Sequence, residues 1–291
     1  MRLNGRRESN NVDDRRGQRR IGGIPMKAGG MSIGAIVIVG ILTWIMGGNP
    51  LEVLTGSSGM MGGQEATASY TPSAQEEEMA TFSRQILAAT EDVWNEEFRK
   101  MGKTYRPPTL VLFTGSVQSG CGNASASTGP FYCSADEKLY IDLSFFEQMR
   151  QSMGAGGDFA YAYVIAHEVG HHVQHLLGVL DDAHSQMSQM SQSDANKVSV
   201  RIELQADFLA GVWGYHDNRL FQSLEEGDLE EAINAASKIG DDYLQKQAQG
   251  YVVPDAFNHG RSDQRMRWLK RGLTTGDLRQ GDTFSMSYNS L

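Results

Sequence analysis

The run His167-Glu168-Val169-Gly170-His171 has the pattern H-E-x-x-H and lies in a segment that predicts a helix. Residues four positions apart share one face of a helix, so His167 and His171 can direct two imidazole rings at one metal ion. Glu168 lies one step around the helix, where its carboxylate can act as a general base toward a water on that ion. Two nitrogen ligands beside a carboxylate base are typical of zinc-dependent hydrolysis.

The surroundings of this run favour a metal site over a chance match. H-E-x-x-H patterns also occur on solvated helices, but residues 159–177 are mostly apolar and predict a buried helix. Buried His and Glu side chains require partners, because an unpartnered polar group is costly to remove from water. A bound metal ion is such a partner.

Zinc requires a third protein ligand, and the residues directly after His171 do not provide one. The metzincin pattern would place Gly and His at the positions of Gln174 and Leu177. Three His residues stacked over two turns cannot converge on one ion, since each turn rises about 5.4 Å. We therefore expect His172 and His175 to be packing or ordinary helix residues rather than ligands.

Glu203 is the better candidate for the third ligand. Residues 200–213 have helical spacing, and Glu203 and Asp207 stand four positions apart on one face. We expect Glu203 to bind the metal and Asp207 to accept the spare ring N–H of a ligand His, which fixes its tautomer. The alternative is a solvated acidic face that pairs with Arg201 or Arg219.

The E-L-Q-A-D run at residues 203–207, together with H-E-V-G-H-H upstream, resembles the neutral zinc metallopeptidases of the bacterial YpfJ type. These are gluzincins, in which the third zinc ligand is Glu. The resemblance implies a Zn²⁺ cofactor and peptidase chemistry. Its further motifs extend over nearly the whole chain: R-L-N-G-R-R-E-S-N-N-V-D-D at 2–14, G-C-G at 120–122, G-P-F-Y-C at 129–133, Y-I-D-L-S-F-F at 140–146, G-D-L-E-E-A at 227–232 and I-G-D-D at 239–242.

The sequence departs from the related patterns at two positions. Phe208 stands where the YpfJ-type family often has Cys after the E-L-Q-A-D run, which removes a possible second cysteine pair but no zinc ligand. Ile202 stands where the thermolysin-like pattern has Asn before the ligand Glu. The residue that orients the second ligand His is therefore left unassigned.

Hydrolysis also needs a donor for the negative charge that develops on the carbonyl oxygen. Related gluzincins place a His or Tyr beyond the Glu ligand for this purpose, which makes His259 the candidate catalytic residue here, with Arg265 and Tyr215 as weaker ones. The alternative is that His259 is a loop residue with no catalytic role. We expect the substrate backbone to pair with an edge strand, with residues 138–143 as the candidate.

Charge divides the chain unevenly. The net charge is −9, but residues 1–27 contain eight basic and three acidic side chains and so carry +5, which leaves −14 for the rest. Residues 28–51 contain no charged side chain and predict one transmembrane helix, for which about 20 apolar residues suffice. The basic arm at 1–27 then predicts a cytoplasmic N-terminus at a bacterial inner membrane and a periplasmic domain. A signal peptide or a buried core helix are the alternatives; a nucleic-acid partner is not expected.

The remaining chain divides into a flexible Gly/Ser-rich linker at 52–73 and one metallopeptidase domain at 74–291. Apolar spacing predicts helices at about 82–101, 228–239 and 264–273, and strands at 109–113 and 138–143. This is an α+β class: a mostly helical, zincin-like domain with a small sheet, preceded by the transmembrane helix.

Cys121 and Cys133 are the only two cysteines, and they flank a Gly/Ser-rich loop. In a periplasmic domain we expect them to form a disulfide. Free thiols or a second metal site are the alternatives, although two cysteines alone do not make a structural zinc site.

These residues predict a membrane-anchored zinc peptidase that hydrolyses peptide or protein substrates. Two other classes of function stay open: a zinc-bearing, non-hydrolytic envelope scaffold, and a hydrolase of non-peptide amides. An intact Glu168 weighs against the scaffold, since a protein without catalysis has no physical need for the base.

Overall fold

The computed structural model describes residues 1–18 and 70–291. The predicted transmembrane segment at 28–51 and nearly all of the predicted linker at 52–73 lie outside these residues. In the ranges that are described, no helix has both the length and the hydropathy to cross a membrane.

A four-stranded mixed sheet forms one side of the domain. Its order is β1-β2-β6-β5, with β1, β2 and β6 parallel and β5 antiparallel to β6. A separate antiparallel hairpin consists of β3 and β4. The predicted strands at 109–113 and 138–143 are confirmed, the second ending one residue early. The strands are β1 Val12–Asp14, β2 Thr109–Phe113, β3 Ser116–Ser119, β4 Gly122–Ser125, β5 Phe131–Cys133 and β6 Lys138–Asp142.

Helices form most of the rest, as the sequence predicted. They are α1 Ala74–Lys100, α2 Ser144–Ser152, α3 Asp158–Leu176, α4 Val179–Met187, α5 Gln192–Phe221, α6 Asp228–Lys238, α7 Asp241–Gln249 and α8 Ser262–Thr275. Four short 3₁₀ turns also occur within the described ranges, at Ala126–Thr128, Pro254–Ala256, Leu278–Gln280 and Tyr288–Ser290.

The core forms around α3, which is buried along almost its whole length and packs against α1, α5 and α6. Helix α5 in turn packs along α8. Large aromatic side chains fill the spaces between these helices, among them the fully buried Trp94, Trp213 and Trp268. The result is a mostly helical α+β domain in which α3 and α5 are held rigidly side by side.

The first 18 residues are an integral part of this domain. Strand β1 extends the sheet by pairing with β2. Arg6 Nη1 donates to the fully buried Asp217 on α5 at 3.1 Å, and Arg7 Nη1 donates to Glu91 on α1 at 2.8 Å. The sequence predicted a basic arm that a membrane separates from the domain. Residues 1–18 are instead packed against that domain, and their basic side chains pair with its carboxylates.

The disulfide predicted between Cys121 and Cys133 is present. It joins the β3–β4 hairpin to β5. Cys133 is fully buried within a small apolar cluster that includes Val117 and Tyr140. The bond therefore fixes the hairpin to the edge of the sheet, where β5 passes close to α3.

Candidate metal centre

Helices α3 and α5 bring together the three predicted ligands. One donor atom from each of His167, His171 and Glu203 lies within 4.8 Å of the others. Nε2 of His167 is 3.2 Å from Glu203 Oε2, and Nε2 of His171 is 3.5 Å from Glu203 Oε1. Both rings therefore turn the same nitrogen toward one carboxylate, which leaves a single point where an ion can contact all three.

A close crossing of the two helices makes this convergence possible. At Gly170, between the two His residues, a Cβ atom would lie only 3.0 Å from the carbonyl oxygen of Ala206 on α5. A larger residue would require the α5 backbone to give way by a few tenths of an ångström. The Gly of H-E-V-G-H therefore suits the close approach of the two helices.

Asp207 lies one turn after Glu203 and contacts the other nitrogen of the first His, as predicted. Its Oδ1 lies 2.8 Å from Nδ1 of His167 and accepts from the Tyr163 hydroxyl at 2.6 Å. Arg265 donates to both Asp207 oxygens at 2.8 Å each. The bidentate pair fixes the carboxylate, which in turn fixes the ring orientation of His167.

The charge of this cluster suits a divalent cation. Burial lowers the pKa of His167, but the adjacent Asp207 outweighs burial and raises that pKa to about 10. Burial raises the pKa of Glu203, yet the His171 and His167 rings hold it well below its usual range. The ionised carboxylates of Glu203 and Asp207 thus attract positive charge. A bound Zn²⁺ would balance this negative charge and displace the proton from the His167 ring. Two imidazoles, one carboxylate and an ordered outer shell fit zinc.

Gln174 orients the second ligand His, a role that the sequence left unassigned. Its Oε1 lies 2.9 Å from Nδ1 of His171, one turn earlier on the same helix. Its amide nitrogen donates to the Ile202 carbonyl at 2.8 Å and to Gln205 Oε1 at 3.0 Å. The amide is fully buried and held from both sides, so it fixes His171 with Nε2 toward the metal position.

Gln174→Leu should therefore weaken zinc binding by about 10- to 100-fold, since it removes the partner that orients a ligand. Gln174→Glu is the matched variant: it keeps an acceptor for His171 Nδ1 and should bind zinc more tightly than the Leu variant. Competition with a chromophoric chelator measures both affinities. Equal zinc affinity in the parent and Gln174→Leu would contradict this role.

His172 and His175 are not part of the metal cluster, in agreement with the sequence. His172 is fully buried: its Nε2–H donates to the Arg106 carbonyl at 2.6 Å, and Nδ1 accepts from the Tyr132 hydroxyl on β5 at 2.9 Å. The acceptor role of Nδ1 requires a neutral ring, and burial lowers the pKa of His172 to about 4. His172 thus anchors β5 to α3. His175 lies beside Glu137 and Asp181.

The depressed pKa of His172 predicts a pH dependence of stability. The unfolded chain takes up this proton near the ordinary value of 6.5 and the folded protein only near 4, so the stabilisation is complete above pH 6.5 and is lost as the pH falls. Between pH 7 and pH 5 the metal-free protein should lose about 2 kcal/mol of unfolding free energy through this residue. Urea unfolding of the parent and His172→Gln measures it; equal losses in the two proteins would contradict the assignment.

Glu168 lies 8 % exposed in a cleft of about 320 Å³ that also contains the three ligands. It belongs to neither the Asp207 network nor the His–Glu203 contacts. Its carboxylate therefore faces the space that a substrate and a water would occupy, as the general-base prediction requires.

His259 lies far from the predicted ligands in the sequence, but it lines the same cleft. Its Nδ1 lies 3.0 Å from Asp241 Oδ1, and Asp241 Oδ2 accepts the backbone N–H groups of Asn258, His259 and Gly260 at 2.7–2.9 Å. Burial lowers the pKa of His259, but Asp241 outweighs burial and raises it. The ring is thus held in place by Asp241 through Nδ1, and its Nε2 does not contact Asp241.

The two weaker candidates have other roles. Arg265 lines the cleft, but its guanidinium is committed to Asp207. Tyr215 is not a cleft residue; it lies against Gly276 and the Arg219 guanidinium. Sequence analysis missed both the anchoring of His259 by Asp241 and the use of Arg265 as the support of Asp207.

The expected substrate strand at 138–143 is wrong. This strand, β6, lies inside the sheet between β2 and β5, so both of its edges are already paired. Strand β5 is the sheet edge beside α3, and its residues Phe131 and Tyr132 line the cleft. The edge of the sheet on this side is a strand of three residues that the sequence did not predict.

Comparison with known proteins agrees with this geometry. The sequence model of a family described as "Putative neutral zinc metallopeptidase" matches residues 1–284. A protein of Escherichia coli K12, "Uncharacterized protein YpfJ", is 49 % identical over 299 residues, covering 99 % of this chain and all of the relative. The Mycobacterium tuberculosis H37Rv protein "Uncharacterized protein Rv2575" is 43 % identical over 191 residues, 62 % of this chain and 64 % of the relative. No solved structure matches the chain.

Proposed function

Because this chain belongs to the neutral zinc metallopeptidase family, we propose that it hydrolyses peptide bonds with one zinc ion held by His167, His171 and Glu203. The observation that carries the proposal is the convergence of these three ligands in a cleft where Glu168 faces the same space. A structural zinc site would be closed by a fourth protein ligand, and among the described residues this cluster has three.

The proposed reaction assigns a separate task to each side chain. When bound, zinc supplies a Lewis acid that acidifies a water molecule and polarises the substrate carbonyl. Glu168 accepts the proton of the attacking water and later delivers it to the departing amine. His259, held in place by Asp241, donates from Nε2 to the carbonyl oxygen as negative charge develops there. Asp207 and Gln174 keep the two ligand rings in place.

The free edge of β5 is suited to hold the substrate backbone. An extended peptide can add to a sheet edge through main-chain hydrogen bonds, which orient it without regard to sequence. Three features fix β5 beside α3: the Cys121–Cys133 disulfide, the pairing with β6 and the Tyr132–His172 hydrogen bond. We propose that β5 aligns the scissile bond with Glu168.

A digest of a proteome-derived peptide library by the zinc-loaded protein tests this function. We expect cleavage that stops when a chelator removes the metal and returns when zinc is added back. Zinc-loaded protein that cleaves no peptide would leave a non-hydrolytic scaffold as the better account. Cleavage confined to non-peptide amides would leave an amidase.

The location of the domain is a further part of the proposal. The Cys121–Cys133 disulfide favours an oxidising compartment such as the bacterial periplasm. Residues 1–18 pack on the domain, and Gly17 lies directly against Tyr70. Gly17 and Tyr70 therefore lie on the same side of any membrane. A chain that crosses the membrane once, with its N-terminus in the cytoplasm, would separate residues 1–18 from the domain on which they pack. We therefore propose that residues 1–18 and the domain share the periplasmic side.

Labelling of single cysteines introduced at exposed positions tests the shared side. Asn10→Cys and Lys270→Cys should react equally with a membrane-impermeant thiol reagent in cells with a permeabilised outer membrane, since the native cysteines are paired. If Asn10→Cys alone does not react with the reagent, a single crossing with a cytoplasmic N-terminus would be the better account. Protection of both would place the domain in the cytoplasm.

A further inference from the structure

The cleft around the candidate metal centre has two apolar walls, and they come from separate hydrophobic clusters. The first, which we call the Val164 wall, consists of Phe145, Met153, Val164 and Ile239 and belongs to the main core. The second, the Ile202 wall, consists of Leu180, Met187 and Ile202, which belong to a small cluster between α4 and α5, and of Tyr132, which packs against both clusters.

The two walls lie on either side of the catalytic groups. Val164 stands on α3 one turn before Glu168, on the same face of the helix. Leu180 and Met187 belong to α4, which follows the end of α3 beyond His171. A peptide that lies along β5 and across α3 would therefore present successive side chains to different walls.

Most charges in the cleft are already engaged. Of the residues that line it, His167, His171 and Glu203 are the predicted ligands, Arg265 is bound to Asp207, and His259 is bound to Asp241. Glu168 is the exception, and in the proposed reaction its carboxylate holds the attacking water. Burial lowers the pKa of the remaining imidazole, His184. A charged substrate side chain on either wall would lose its hydration without gaining a counter-charge, whereas an apolar one gains by leaving water.

We propose that the substrate is an extended segment with a large apolar side chain on each side of the scissile bond. This rests on the proposed function and specifies its substrate class. Neighbouring large apolar residues are mostly buried in folded proteins. The favoured substrates are therefore unfolded or misfolded chains rather than native surfaces.

Quenched fluorescent peptides with identical Gly/Ser flanks and different central pairs test the proposal on the zinc-loaded full chain. The apolar Phe-Leu pair should exceed Ala-Ala in kcat/KM by about 10- to 100-fold. Asp-Asp and Lys-Lys should be poorer than Ala-Ala. Cleavage of the charged pairs as fast as Phe-Leu would overturn the proposal and leave the peptidase function intact.

Single substitutions on the two walls provide a second readout that a folding defect cannot imitate. Met153→Glu and Met187→Glu each place a carboxylate on one wall and should shift preference from Phe-Leu toward Lys-Lys by about tenfold. Met266→Glu is the matched control: it is equally half-buried but lies on α8 outside the cleft, and it should keep the parent's preference. Equal ratios in all three variants would contradict the assignment of the walls.

Binding separates this inference from hydrolysis itself. If no peptide is cleaved, peptides with the same central pairs and a fluorophore but no quencher are titrated with zinc-loaded Glu168→Gln, and their fluorescence anisotropy is followed. Tighter binding of Phe-Leu would support the apolar walls while the peptidase proposal fails. Equal binding of all pairs would overturn both.

Discussion

Glu168→Gln should abolish peptide hydrolysis while zinc binding and folding stay as in the parent. The amide keeps the shape of the side chain but cannot accept a proton. General-base catalysis typically contributes about 10²- to 10⁴-fold in rate, so kcat should fall at least by that factor. The residue lies in the cleft but is not one of the three clustered ligands, which is why catalysis and metal binding separate at this position.

The measurement is kcat on the best library-derived peptide, with zinc content and thermal unfolding determined on the same samples. Gln186→Glu on the exposed face of α4 is a control for altered charge and should change none of them. A Glu168→Gln protein that hydrolyses peptides at the parent's rate would exclude the carboxylate as the base.

Glu203→Ala should lose zinc and, with it, activity. The substitution removes the carboxylate toward which both ligand rings turn, and a two-ligand site holds zinc far more weakly than a three-ligand one. It also removes the carboxylate that both Nε2 atoms contact. We expect an affinity loss of more than about 100-fold, together with a lower melting temperature, because metal binding contributes to folding.

Metal analysis after dialysis against a weak chelator measures the loss, with His175→Ala as the control. His175 stands on α3 near the ligands, but its partners are Glu137 and Asp181 rather than the metal cluster. That variant should keep its zinc. Retention of one zinc per chain in Glu203→Ala would exclude Glu203 as a ligand.

The sequence predicted the parts of the site that depend on local helical geometry. Four-residue spacing placed His167 with His171, and Glu203 with Asp207, because side chains on one helix face have fixed relations. The same rule could have identified Gln174, a polar residue one turn after His171 on a helix predicted to be buried. Its amide needed a partner, and the unassigned His171 nitrogen was within reach.

Long-range relations could not be predicted in this way. The pairing of Arg6 with Asp217 joins residues 211 positions apart in the chain, and a basic composition alone does not show that such a pairing exists. Strand order is equally hidden: β6 is buried at four of its five positions, but only the sheet shows that β2 and β5 pair with both of its edges. The capture of three loop N–H groups by Asp241, which fixes His259, depends on the backbone conformation at residues 258–260.

Stepwise addition of zinc to the metal-free protein, with peptide hydrolysis followed at each step, tests the central claim most directly. One site built from His167, His171 and Glu203 predicts no hydrolysis without metal, a linear rise to one zinc per chain and a plateau beyond it. Hydrolysis by the metal-free protein, or a fully zinc-loaded protein that cleaves no peptide, would contradict the claim that this centre is a zinc peptidase.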